Sequence, residues 1–234
     1  MDEKTKAILS ELSRGVHIAF ANAELLFKEA DLLREKGHHA RAVVLHQISI
    51  EECGKIEIIG AHAMGLFLEG RIDLSVMAKA FRNHKAKNYA NAYFAEVKDE
   101  ELQARKAGDA KAAVEAFKKL QASFHKDSND AKNAALYVDF VDGKFISPSD
   151  VIDAKMAEGY AAVNHYFLSL TWPKVSMIEN LLQDDGRRRK ALTQLTERMK
   201  KMRDEKEKDP EAVLEEMLKE MVKDFVKEPL GKKE

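Results

Sequence analysis

Several things are scarce in this 234-residue chain, and each scarcity narrows the field. A single cysteine, Cys53, excludes an intramolecular disulfide and suits a reducing compartment. Only 4 prolines interrupt the chain, which favours long helices over a loop-rich fold. Charge of one sign is missing too: 39 Lys and Arg against 40 Asp and Glu leave a formal net charge of -1, so any attraction for a polyanion must be local. No stretch reaches the roughly 18 apolar residues of a membrane span. The opening "MDEKTKAILS" lacks the apolar run of a signal peptide, so a cytoplasmic protein with no membrane partner is expected. Gly-rich phosphate loops and Gly-x-Ser-x-Gly elbows are absent. With no Glu-x-x-His pair of a di-iron bundle, neither a metal nor another cofactor is expected.

What is present is helix. Hydrophobic residues make up 45% and charged residues 34%, the balance of helices with one apolar and one charged face. From about residue 5 to 36, apolar residues recur at helical spacing through Leu12, Val16, Phe20, Ala23 and Phe27, and Gly37 follows as a C-cap. The Ala-rich "AFANA" leaves room there for a second backbone. A second helix, about His39 to Leu68, is apolar nearly all round and reads as the centre of the bundle. Asp73 caps a third helix reaching about Lys98, and a fourth covers about Glu100 to Asn133 with Val114, Phe117, Leu120 and Phe124 on one side. "ALYVDFVDGKFISP" breaks the pattern, with β-prone residues on either side of Asp142-Gly143, a tight-turn signal.

Ser147, Pro148 and Asp150 then start a fifth helix carrying Ile152, Met156, Tyr160, Val163 and Phe167 on one face, ended or kinked near Trp172 and Pro173. A boundary near Gly186 separates a bundle, 1–185, from a tail, 186–234. The tail is a basic helix start, Arg187 to Lys190, followed by a Met-rich amphipathic repeat through Met217, Met221 and Phe225. Helices of that kind cannot bury their stripes alone and need a surface to pack on.

The second helix holds an anomaly, "SIEECGK", Ser49 to Lys55. At about 100° per residue, Arg41, Glu52 and Lys55 fall on one side of it, with Glu51 and His62 beside them. A buried charge without a partner costs several kcal/mol, so this polar stripe needs counter-charges. "FRNHKAKNYANA" on the third helix offers them: Phe81, His84, Asn88 and Asn91 share a face, and Arg82, Lys85 and Lys87 surround it. A cluster of Glu51, Glu52, Lys55, His84 and a basic residue is therefore expected between the two helices. Spacing leaves open whether it fixes helix register or does chemistry. Cys53 lies on the opposite side and reads as core.

"SIEECGK", then "HKAK", then "LYVDFVDGKFISP", in that order, resemble the AbiV family of bacterial and archaeal abortive-infection proteins, a branch of the HEPN superfamily; the likeness covers roughly residues 15 to 170. It implies an all-α HEPN-like bundle, often a homodimer, acting in phage defence on RNA or translation. Many HEPN proteins are metal-independent ribonucleases, in which an arginine, usually followed by a polar residue, works with a histidine four to six residues later. Histidine moves the 2'-hydroxyl proton while arginine stabilises the charged phosphorane. This chain departs from that pattern. Arg41 and His46 have the spacing but alanine follows the arginine, and Arg82 and His84 are too close together. Carried over from the family pattern are Glu51, Glu52, Gly54, Lys55, His84, Lys85 and Lys87. If the chain cleaves RNA, His84 is the expected acid/base, with Arg82, Lys85 or Lys87 on phosphate and Glu51, Glu52 and Lys55 orienting them. The alternative is a non-catalytic module that binds a phage or host protein, or dimerises, with a purely structural polar cluster.

Overall fold

The computed structural model describes residues 2–69 and 71–182, together with the isolated helical positions 194 and 197. Nearly all of it is helix, as expected. α1 (Glu3–Glu35) starts at Asp2, whose carboxylate accepts the Thr5 N–H at 2.7 Å. It ends where Gly37, at φ 79°, lets His38 N–H reach back to the Leu33 carbonyl at 2.9 Å. α2 (His39–Glu69) is the central helix, and it feeds every apolar cluster. Ile56 and Ile59 meet Leu12, Val16 and Phe20 of α1 in the main core; Val43 and Val44 pack with Ala135, Ile152 and Ala157; Ile50 and Cys53 pack with Ala23 and Phe167. The thiol of Cys53 is buried, and that burial pushes it up to about 12, so it is inert core. "AFANA" does admit a neighbour: Ser49 Oγ donates to the Ala23 carbonyl at 2.7 Å.

Three helices read as continuous are broken. The third is α3 (Leu74–Phe81) and α4 (His84–Asn91), because Asn83 leaves helical geometry and its side chain accepts the Ala86 N–H at 3.2 Å. A 3-10 turn (Ala92–Phe94) follows. The fourth is α5 (Asp99–Lys106) and α6 (Ala110–Leu136), separated by Gly108 at φ 69° and capped by Asp109. Val114, assigned to the apolar side of that helix, is exposed.

After α6, strands β1 (Asp139–Val141) and β2 (Lys144–Ile146) pair antiparallel across Asp142 and Gly143, both at positive φ, the geometry that Asp-Gly favours. The fifth helix is split as well. Asp150 accepts from the Ser147 N–H at 2.7 Å to start a single turn, α7 (Pro148–Val151), and Asp153 caps α8 (Ala154–Leu182). The break resets the phase. Ala157, Ala161, Asn164 and Phe167 are buried, whereas Met156 and Val163 are exposed.

Pro173 neither ends nor visibly breaks α8. Interior proline costs a helix about 3 kcal/mol. Beyond it, however, Val175 and Ile178 are 1% exposed in the main core, and their burial holds the last turns in place. The boundary near Gly186, the basic block and the Met-rich repeat lie outside the described residues.

Candidate functional site: a buried glutamate under a half-exposed histidine

Gly54 explains how the site is assembled. A Cβ there would stand 2.5 Å from the Lys87 carbonyl oxygen and 3.0 Å from Asn91 Nδ2, so only glycine lets α4 press onto α2 at this level. Asn91 Nδ2 locks the contact by donating to the Ile50 carbonyl at 2.7 Å. With α4 seated this closely, Lys87 and His84, one turn apart, both reach Glu51.

The Glu51 side chain is 3% exposed and receives three cationic or proton-bearing groups. Lys87 Nζ lies 2.7 Å from Oε2, Lys132 Nζ 2.8 Å from Oε1, and His84 Nδ1 2.6 Å from Oε2. Burial alone pushes this carboxyl up, but the bonds and charges of Lys132 and Lys87 outweigh it and hold the group below the ordinary carboxylate value. Glu51 is therefore an anion near neutral pH and can only accept. An ionised Glu51 makes Nδ1 the donor of the Glu51–His84 bond, and in the neutral imidazole that leaves Nε2 as the acceptor. The His84 side chain is 59% exposed. Two lysines against one carboxylate make the corner net positive even before the exposed Arg82 and Lys85 on either side of His84 are counted.

Lys132, which helical spacing does not single out, is the remaining partner of Glu51. It comes from α6, on a face with the buried Ser128 and Ala135 at i-4 and i+3. Ser128 Oγ donates to Gln47 Oε1 at 2.7 Å, so Gln47 and Glu51 of α2 meet Ser128 and Lys132 of α6 as two matched rungs. A lysine on a small-residue face was the available signal.

Other expected members stand apart. Glu52 points about 100° away from Glu51 and pairs with Lys55 at 2.5 Å, and that Nζ lies 5.8 Å from the Phe81 ring centroid. Lys85 lies over the Tyr89 ring at 5.1 Å. Arg82 is the exposed C-cap of α3. Arg41 and His46 do not meet at all: Arg41 donates to the Leu136 carbonyl at 3.1 Å, at the end of α6, while His46 is sealed in the interior. There His46 Nδ1 accepts from Asn164 Nδ2 at 3.1 Å, and Asp31 Oδ1 stands 4.0 Å from Nε2, too far to bond. Burial first, with Arg34 adding to it and Asp31 opposing, pushes His46 down to about 4. It stays neutral.

A second buried carboxylate of α2, Glu57, pairs with Lys174 of α8, which lies 3.9 Å over the Phe94 ring. Burial raises it despite that partner. Among the described residues, no three His, Cys, Asp or Glu side chains converge as metal ligands.

The family model HEPN_AbiV, described as AbiV, matches residues 11–169. This chain belongs to the AbiV family. The matched span runs from α1 into α8 and contains the whole Glu51 corner, including Gly54 and Lys132. The chain is also similar to the uncharacterized protein y4gJ of Sinorhizobium fredii (strain NBRC 101917 / NGR234), 37% identical over 129 residues that cover 55% of this chain and 67% of that protein. No solved structure matches the chain.

Proposed function

We propose that this AbiV-family protein serves in abortive infection, the phage-defence role of the family, and that it acts in the cytoplasm on RNA through His84. The observation that carries the reading is the 2.6 Å contact between His84 Nδ1 and the buried Glu51, which in the neutral imidazole selects the tautomer with Nε2 as acceptor, on a side chain that is 59% exposed. Nε2 takes the proton of a ribose 2'-hydroxyl as its oxygen attacks the adjacent phosphorus. The bond to the 5' oxygen breaks, that oxygen leaves with a proton from water, and a 2',3'-cyclic phosphate remains. Arg82 and Lys85, exposed beside His84, supply positive charge for the phosphorane oxygens. Lys87 and Lys132 are held by Glu51 and keep its carboxylate charged and oriented. Glu52 and Lys55 pair with each other on a separate side of α2 and take no part in the proton transfer. Purified protein incubated with tRNA, mRNA and rRNA in excess chelator should give fragments ending in cyclic phosphate. Intact RNA in all three incubations would remove the nuclease reading.

The second reading is a non-catalytic module, and the burial of Glu51 and Lys87 favours it, because such a pair also fastens α4 to α2. On that view His84→Ala keeps full protection against phage in cells. On the first view protection is lost. Homodimer formation is supported by an apolar stripe on α8, where Met156, Val163, Tyr166 and Met177 are all at least 40% exposed. Light scattering of the full chain tests it.

A further inference from the structure

The 3-10 turn Ala92–Phe94, α5 and α6 enclose a cleft of about 210 Å³, on elements that do not contribute to the Glu51 corner except through the far half of α6. Its walls are mostly apolar: the rings of Tyr93 and Phe117 stand 4.7 Å apart with their planes 43° from parallel, Val97, Val114 and Leu120 add to the lining, and Arg105 also borders it. Glu101 also lines it, and this carboxylate is 2% exposed. One oxygen, Oε1, accepts from Arg105 Nη2 at 2.5 Å; the other, Oε2, is buried and has no hydrogen-bond partner among the described residues. A buried carboxylate oxygen with no donor is costly, and in native proteins such an atom calls for an explanation.

We propose that this cleft binds an organic cation, an ammonium or guanidinium group on a short apolar stem. The cationic head would donate to Glu101 Oε2, while the stem lies between rings whose faces attract positive charge. Asp99, in the first turn of α5, adds negative charge nearby, while Glu100 is paired with Lys119 at 3.1 Å. Arg105 and Glu101 offset each other's charge, so what a cationic donor would find is the unpartnered Oε2 rather than a surplus of negative charge. The head could belong to a free aliphatic amine or to a Lys or Arg side chain presented by a peptide.

The full chain, labelled for NMR on its aromatic rings, distinguishes these. n-Butylammonium, 1,4-diaminobutane and a doubly blocked lysine should each shift the Tyr93 and Phe117 resonances at millimolar concentration, while butanol and butyrate should not. The tighter of diaminobutane and blocked lysine identifies the source. Glu101→Gln keeps the acceptor for Arg105 and should weaken cation binding about tenfold or more, the loss expected for one charge-assisted bond. Tyr93→Ala removes a wall that is 70% exposed, so it should fold normally and weaken binding several-fold. Equal binding of butanol and butylammonium, unchanged binding in Glu101→Gln, or no shift with any cation would overturn the proposal.

Discussion

Two histidines, His46 within α2 and His84 on α4, sit in opposite environments. His46 is sealed, bonded to the neutral Asn164 and pushed down to about 4; His84 is 59% exposed and bonded to a carboxylate held ionised by two lysines. The residue type is the same, so the difference comes from the partner and the access to water. An imidazole given only an amide and an apolar wall, here Phe27 at 5.4 Å, stays neutral and serves packing. One given a charged carboxylate and an open edge is set up to exchange protons.

The contrast breaks most drastically if Glu51 is removed. Glu51→Ala leaves Lys87 and Lys132, 8% and 14% exposed, without their counter-charge, and should lower unfolding free energy by about 3–5 kcal/mol in urea titration. A loss under about 1 kcal/mol would mean that the lysines find water or other partners, and that the corner is not a fastened unit.

Next in size is Gly54→Ala. The added methyl meets backbone at 2.5 Å and should destabilise by about 2–3 kcal/mol while moving His84 off Glu51. Gly60→Ala on the same helix is the control: its methyl meets only Ile178 Cδ1 at 3.7 Å, so helix propensity should leave it neutral or up to about 1 kcal/mol more stable.

How legible these corners were in the sequence differs for physical reasons. The central α2, the Asp142-Gly143 turn and the facing of Glu51 and His84 follow from periodicity and from charges on apolar faces. Breaks at Asn83, at Gly108-Asp109 and at Ile152-Asp153 do not show in the periodicity, because a single capping residue scarcely disturbs helical spacing. Pro173 acts in the other direction: local preference suggests an end or a kink, and the burial of Val175 and Ile178 overrides it. Lys132 escaped because its partner lies 81 residues away on another helix, a pairing that no local pattern encodes. The separation of Glu51 from Glu52 depends on which neighbour each side of α2 meets, and that is decided only by packing.

Acid separates the two histidine environments by window. His46 binds its proton more weakly folded than unfolded, so the stability that it contributes is complete above about pH 6.5 and declines as pH falls toward about 4. At about 1.4 kcal/mol per unit the decline is at most about 3.5 kcal/mol. Glu51 is also depressed, but from the carboxylate value of 4.5, so its contribution is kept down to that pH and is lost only below it. Urea titrations of the native protein and His46→Gln between pH 7 and 4 should therefore converge as the variant loses less. Parallel curves would show that His46 does not carry this window.

The smallest stability effect accompanies the largest functional one, and it bears most directly on the central claim that Glu51 prepares His84 to act on RNA. His84→Ala should abolish RNA cleavage while lowering the melting temperature by no more than a few degrees, since the side chain is largely exposed and Lys87 and Lys132 still neutralise Glu51. Cleavage by His84→Ala at the rate of the native protein would contradict it.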